Sequence, residues 1–182
     1  MRKTDARIRY TQGVLKQALL SFLKETPINK ITVKEVCERA ELNRATFYAH
    51  YSDCFALLES IEEDLLEAFR QSLKLVDSFD VTALIEALYA MIEQQQEACR
   101  VLIFQNVCPN VLRRMISLAR GKSITYWKQH LHRVTEAELE MLYTHLSNGL
   151  MHVVVEGYEK YSREEVVRFV NRIVQCSLSQ FQ

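Results

Sequence analysis

Four glycines and two prolines in 182 residues (Gly13, Gly121, Gly149, Gly157, Pro27, Pro109) leave little material for tight turns. Sandwiches and barrels need turn residues at every hairpin, so this scarcity points to helices. Apolar spacing agrees. Val14, Leu15, Ala18, Leu19, Phe22 and Leu23 recur at helical intervals, as do Phe55, Leu58, Ile61, Leu65 and Phe69 further along. The pattern predicts helices from about Thr4 or Thr11 to Glu25, from Thr32, from Arg44 to about Tyr51, and from Ser52 or Asp53 to about Val76. Asp77-Ser78-Phe79-Asp80 interrupts it, and helices follow over about 81–97, a shorter stretch before Pro109, 111–134 with a potential break at Gly121, 136–161 and 163–181. The expectation is an all-α fold of about nine helices with no strand.

Charge is divided along the chain. The 23 Lys and Arg cancel the 23 Asp and Glu overall, which by itself argues against a polyanionic partner. Residues 1–51, however, carry ten basic side chains (Arg2, Lys3, Arg7, Arg9, Lys16, Lys24, Lys30, Lys34, Arg39, Arg44) against five acidic ones, a net +5. The remaining residues carry thirteen against eighteen, a net −5. A basic head on an acidic body is the asymmetry expected of an anion-binding module.

Several function classes lose support. No phosphate-binding glycine loop, dinucleotide fingerprint or nucleophile–base pair is visible, so no enzyme and no cofactor are expected. Cys37, Cys54, Cys99, Cys108 and Cys176 form no CxxC pair and read as buried packing thiols, with a redox role for Cys99 and Cys108 left open. His145 and His152 share a helix face but lack the company of a metal site. No apolar run spans a membrane and no secretory leader is apparent, so a soluble cytoplasmic protein is expected.

The function is concentrated in Ile31 to Leu58, ITVKEVCERAELNRATFYAHYSDCFALL. Thr32 and Glu35 have capping-box spacing, Asn43 is a good N-cap, and Glu41-Leu42-Asn43 is a tight turn between two short helices. Together with Thr32-Val33-Lys34, Thr46-Phe47-Tyr48-Ala49-His50-Tyr51, Ser52-Asp53 and Leu57-Leu58, this stretch resembles the N-terminal domain of TetR-type bacterial transcriptional regulators. The run Asn43-Arg44-Ala45-Thr46-Phe47-Tyr48 is similar to the subgroup that includes regulators of dihydroxyacetone kinase operons. The specific match covers residues 8–58; beyond it the likeness is in helix number and length. It implies a three-helix DNA-binding domain over 1–51, a helical ligand-sensing and dimerisation domain over 52–182, and a repressor released from operator DNA by a small molecule.

The residues support that implication on their own terms. Ala45 and Ala49 allow close approach to a major groove, and Arg44 can fork to guanine O6 and N7. Leu42 and Phe47 supply apolar anchors against Val36 and Ala40. Thr46, Tyr48 and His50 suit phosphate oxygens, and Lys34 sits where it reaches a base edge or a phosphate. The amides at the start of the Thr32 helix, with the Thr32 hydroxyl, can hold a further phosphate. By the resemblance, the DNA-binding set is Thr32, Lys34, Asn43, Arg44, Ala45, Thr46, Tyr48 and His50.

Two departures from the family pattern stand out. Cys54 occupies a position usually held by a phosphate-contacting Lys. Glu41 occupies a turn position where glycine is frequent, which predicts a strained backbone.

Leu139, Leu142, Leu146, Leu150 and Val153 form a stripe in the penultimate helix, and apolar residues cover a wide arc of the last, from Val166 to Phe181. Both features, with Gly149 costing about 1 kcal/mol in mid-helix, fit a homodimer closed through the last two helices. The resemblance places a small-molecule effector within 81–134, where Tyr89, Met91, Phe104, Tyr126 and Trp127 are candidates. The alternative is a co-activator that acts through a protein partner rather than DNA.

Overall fold

The computed structural model describes residues 3–74 and 81–181. Among these it is all-helical: α1 (Lys3–Leu23), α2 (Val33–Arg39), α3 (Arg44–Tyr48), α4 (Cys54–Lys74), α5 (Val81–Gln94), α6 (Gln96–Cys99), α7 (Asn110–His130), α8 (Glu136–Gly157) and α9 (Arg163–Leu178). A π-helical turn, Arg100–Phe104, follows α6, and short 3₁₀ turns occupy Ile28–Lys30 and Ser179–Phe181.

Three helix starts obey the capping logic of the sequence. Thr32, Thr135 and Ser162 each open a helix with a capping box, their partners being Glu35, Glu138 and Glu165. The start of α4 is capped by Asp53, whose carboxylate accepts from the Ala56 amide at 2.8 Å.

Other boundaries differ from expectation. The helix expected from Arg44 ends at Tyr48 rather than Tyr51, because the Phe47 carbonyl already receives both the His50 and Tyr51 amides at 2.9 Å and closes the turn. The helix expected over 81–97 stops at Gln94, after which the chain passes through α6 and the π turn. Gly121 does not break α7. The segment about 77–80, read as an interruption, lies outside the described residues.

Two compact units emerge. The first comprises the residues up to Leu65 together with Glu97–Cys108; the second comprises Leu66–Gln96 and the residues from Pro109 onward. In the first, α1 packs on α2 and α2 on α3. Its core includes Leu15, Leu19, Val36, Phe47 and Leu57, all fully buried. Each such side chain contributes about 1.5–3 kcal/mol by leaving water. Lys16 pairs with Asp64 at 2.5 Å and Lys24 with Glu97 at 2.8 Å, fastening α1 at two levels.

In the second unit, α7 packs on α8, α8 on α9 and α5 on α9. Ile85, Met91, Val111, Met115 and Leu139 are buried there. The carbonyl of Phe181 accepts from the His132 and Arg133 amides at 3.0 Å, tying the last turn to the α7–α8 loop. The inward stripe of α8 is Leu139, Tyr143, Leu146, Met151 and Val154. Leu142, Leu150 and Val153, expected on that stripe, are only half-buried because they lie to one side of it.

Candidate nucleic-acid interface

The geometry of the head is set by how α2 ends. The Leu42 amide donates to the Cys37 carbonyl at 2.9 Å and the Glu41 amide to the Glu38 carbonyl at 3.3 Å. This pair of reversed bonds satisfies carbonyls that the last helical turn leaves open, and it requires the residue between to be left-handed. That residue is Glu41, with φ 53°. The strain expected from the sequence is therefore present. A left-handed backbone costs an L-residue roughly 1–2 kcal/mol, part of which the greater chain entropy of unfolded glycine offsets. Glu41→Gly should accordingly raise stability by up to about 1 kcal/mol, read as a shift in the denaturation midpoint. A destabilised Glu41→Gly variant would mean that the Glu41 side chain contributes more than its backbone costs.

After the turn, Asn43 starts α3. Its Oδ1 accepts from the Thr46 amide at 2.7 Å and from the Thr46 hydroxyl at 3.0 Å. Phe47 points inward and is fully buried, its ring edge-on to Tyr48 at 5.6 Å and tilted against Tyr51 at 6.0 Å. Leu42, the second expected anchor, is half-buried. With Phe47 fixed inward, the helical period sends Arg44, Ala45, Tyr48 and Ala49 outward, and all four are exposed. Tyr48 is 57% exposed, a large aromatic ring left in water beside two alanines.

The eight candidate residues divide by what the protein already asks of them. Thr32 donates its hydroxyl to the Glu35 carboxylate at 2.6 Å and its amide to the same oxygen at 2.8 Å. These two bonds hold Glu35 below the usual carboxylate range. The Thr32 donors are thus committed to the cap, and a phosphate at this helix end must use the amides of the first turn. Asn43 and Thr46 are committed to each other. Lys34 makes one long, exposed contact to Glu38 at 3.8 Å. Arg44, Tyr48 and the half-buried His50 have no polar side-chain partner among the described residues. Arg44, Tyr48, His50 and Lys34 are therefore the side chains with donors to offer an outside ligand, and Ala45 and Ala49 leave room for it.

The position where the family pattern has Lys is closed. Cys54 is 4% exposed, and burial pushes its thiol up to about 11. It packs instead of contacting a phosphate. Its neighbour Phe55 is 56% exposed. The thiols left open as redox candidates are likewise withdrawn: Cys99 and Cys108 are buried and pushed up to about 12, mainly by burial. A neutral, enclosed thiol is a poor nucleophile, so neither has the exposed thiolate that redox sensing needs.

Two short helices joined by a tight turn, with a buried anchor, a small-residue outer face and exposed donors, define a helix-turn-helix architecture. The fold around it is that of the TetR-family regulators. The dihydroxyacetone kinase operon activator DhaS superposes with a TM-score of 0.64 at 14% identity, covering 94% of this chain and 98% of that one. The TetR family transcriptional regulator PfmR from Thermus thermophilus superposes with a TM-score of 0.57 at 13% identity, covering 91% and 93%. In sequence, 62 residues are 37% identical to YxbF, an uncharacterised helix-turn-helix-type transcriptional regulator of Bacillus subtilis (strain 168). That match spans 34% of this chain and only 16% of the relative. No family model matches the chain.

Among the described residues, no helix is long and apolar enough to cross a membrane. The effector candidates of the 81–134 region scatter in the structure. Phe104 belongs to the first unit, Tyr126 stacks on His130 at 4.2 Å, and Tyr89 lies under the Arg163 guanidinium at 4.9 Å. Trp127 alone of the five lines an internal slot of the second unit. The other walls come from residues the sequence reading did not single out for this role, among them Phe69, Met115, Ser123, Tyr143 and Met151. Their helical stripes marked them as core; nothing in their spacing marks a gap between them.

Proposed function

We propose that the protein is a dimeric, sequence-specific DNA-binding transcriptional regulator of the TetR type, a repressor released from its operator by a small molecule. The observation that carries this reading is α3, where Arg44, Ala45, Tyr48 and Ala49 face outward over the buried Phe47. Arg44 reads a guanine, Ala45 and Ala49 admit the helix to the groove, and Tyr48, His50 and Lys34 grip phosphates. Thr32, Asn43 and Thr46 hold the two helix starts in register.

Pairing is supported by α9. Val166, Val170 and Val174 are buried, while Phe169 and Ile173, on the flank of that stripe, remain 44% and 43% exposed. A second copy gives that apolar arc a partner and sets two recognition helices on a pseudo-palindrome. The effector acts by population shift, favouring a dimer whose recognition helices no longer match the half-site spacing.

Selection of binding sites from randomised duplexes by the intact protein tests the reading. It should enrich an inverted repeat with half-sites about one helical turn apart. Failure to enrich any sequence, or a protein that stays monomeric at micromolar concentration in sedimentation, overturns it. On the selected operator, Arg44→Ala should cost about 1–3 kcal/mol and relax one base position. Tyr48→Phe should weaken every sequence alike. An Arg44→Ala footprint identical to wild type on all operator variants removes the direct-readout role.

DhaS is by name an operon activator, and the second reading makes this protein a co-activator that acts through a protein partner rather than DNA. Recovery of a protein, but no DNA, with the purified chain would select it.

A further inference from the structure

Between α4, α5, α7, α8 and α9 the second unit holds a partly open slot with a cavity volume of ≈ 60 Å³. Its walls are apolar: Phe69, Leu88, Met115, Trp127, Leu146 and Met151 are among them. Trp127 and Tyr143 meet edge to face at 5.9 Å and form one aromatic side. Two hydroxyls interrupt this surface. Ser123, 2% exposed, and Ser147 both have a buried Oγ with no hydrogen-bond partner among the described residues. A buried hydroxyl without a partner is costly, and helix interiors ordinarily avoid it by bonding back to the preceding turn. Tyr143, by contrast, donates its proton to the Ile116 carbonyl at 2.6 Å and leaves only lone pairs.

We propose that this slot binds a small, uncharged, largely apolar molecule bearing one alcohol- or carbonyl-type oxygen, which Ser123 and Ser147 hold by hydrogen bonds. The inference rests on the effector reading above and specifies the ligand's chemical class. Among the described residues, no Asp, Glu, Lys, Arg or His lines the slot, so an ionic ligand would lose its hydration without compensation. A pure hydrocarbon would leave both serines unpaired, whereas one oxygen satisfies at least one of them. Size is bounded as well. A cavity of about 150 Å³ admits benzene, so the slot as it stands must widen. Met115 and Met151, unbranched and adaptable, are the wall residues best able to yield. A single ring or a short branched chain is the scale that fits.

Trp127 is the chain's one tryptophan, so its fluorescence reports on this slot. The intact protein is titrated with three transparent probes of one size: cyclohexanol, methylcyclohexane and cyclohexanecarboxylate. Cyclohexanol should shift the Trp127 emission saturably, methylcyclohexane should bind about tenfold more weakly, and the carboxylate should not bind. Ser123→Ala removes an unpaired hydroxyl and should fold normally; in the Ser123→Ala/Ser147→Ala double variant the preference for alcohol over hydrocarbon should vanish.

Equal binding of the carboxylate, no saturable shift with any probe, or an alcohol preference unchanged in the double variant overturns the proposal. Operator retention is measured in the same samples. Saturable, serine-dependent binding that leaves the operator bound supports the ligand class and removes the effector role instead.

Discussion

Raising the salt from 50 to 200 mM should weaken operator binding by about 10³–10⁵-fold. The estimate follows from the division of charge. A net +5 on residues 1–51 sits with the exposed or half-buried donors of Lys34, Arg44, Tyr48 and His50, and pairing doubles the set that meets one duplex. Neutralising about six to ten phosphates releases their condensed counterions and gives a log–log slope of about −5 to −9. Acidic side chains of the remainder that lie more than about 8–10 Å from the duplex should contribute little, since their field is screened. Fluorescence anisotropy across that salt range, on the selected operator, measures the slope. A flat response would show that phosphate neutralisation is not what holds the complex, and the roles given to Lys34, Tyr48 and His50 would fall with it.

The slope also tests the position of Cys54. The family pattern places a Lys there, and the buried thiol cannot replace it. Cys54→Lys would not restore the contact simply, because the site faces the core and an ammonium there lacks a partner. The compensating charge has to come from elsewhere in the head, where Arg7 and Arg9 of α1 are exposed.

What could be read without coordinates, and what could not, divides along the range of the interactions. Thr32 with Glu35 and Asn43 with Thr46 are three residues apart, so spacing alone discloses their bonds, and the structure contains them. The strain at Glu41 was legible through the resemblance, because Glu41 stands at a turn position where the family pattern often has glycine, and its φ is 53°. The early end of α3 was not legible. It depends on the Phe47 carbonyl accepting two amides at once, a local competition that hydrophobic periodicity does not record. The π turn at Arg100–Phe104 is similar, since Val101, Leu102 and Ile103 are apolar and buried under either helical period. The slot was least legible of all. Five helices line it, and Ser123 and Ser147 look like ordinary helix serines until their lack of partners is seen in place. Thr46 shows the converse limit: its hydroxyl suits a phosphate on paper, whereas in the structure it donates to Asn43 Oδ1 at 3.0 Å.

Phe47→Ala should destabilise the first unit by about 3–5 kcal/mol and abolish operator binding without touching a single DNA-facing atom. The ring is fully buried and meets both Tyr48 and Tyr51. Its carbonyl closes the helix, and its side chain is the one residue of α3 that anchors in the core. A helix of five residues has no stability of its own, because the cost of nucleation is offset only over several turns or by packing. Removing the anchor leaves a cavity and frees α3 from α2, so Arg44 keeps its chemistry but loses its aim. Amide hydrogen exchange separates this from a lost contact. In Phe47→Ala the amides of α2 and α3 should exchange at rates approaching those of the unfolded chain, while α7 and α8 keep their protection. In Arg44→Ala every helix should stay protected although binding weakens. Phe47→Leu, which refills much of the volume, should recover most of both protection and affinity. If Phe47→Ala keeps wild-type protection in α3, the recognition helix is positioned by something other than its buried ring, and the separation of an inward anchor from an outward reading face is wrong.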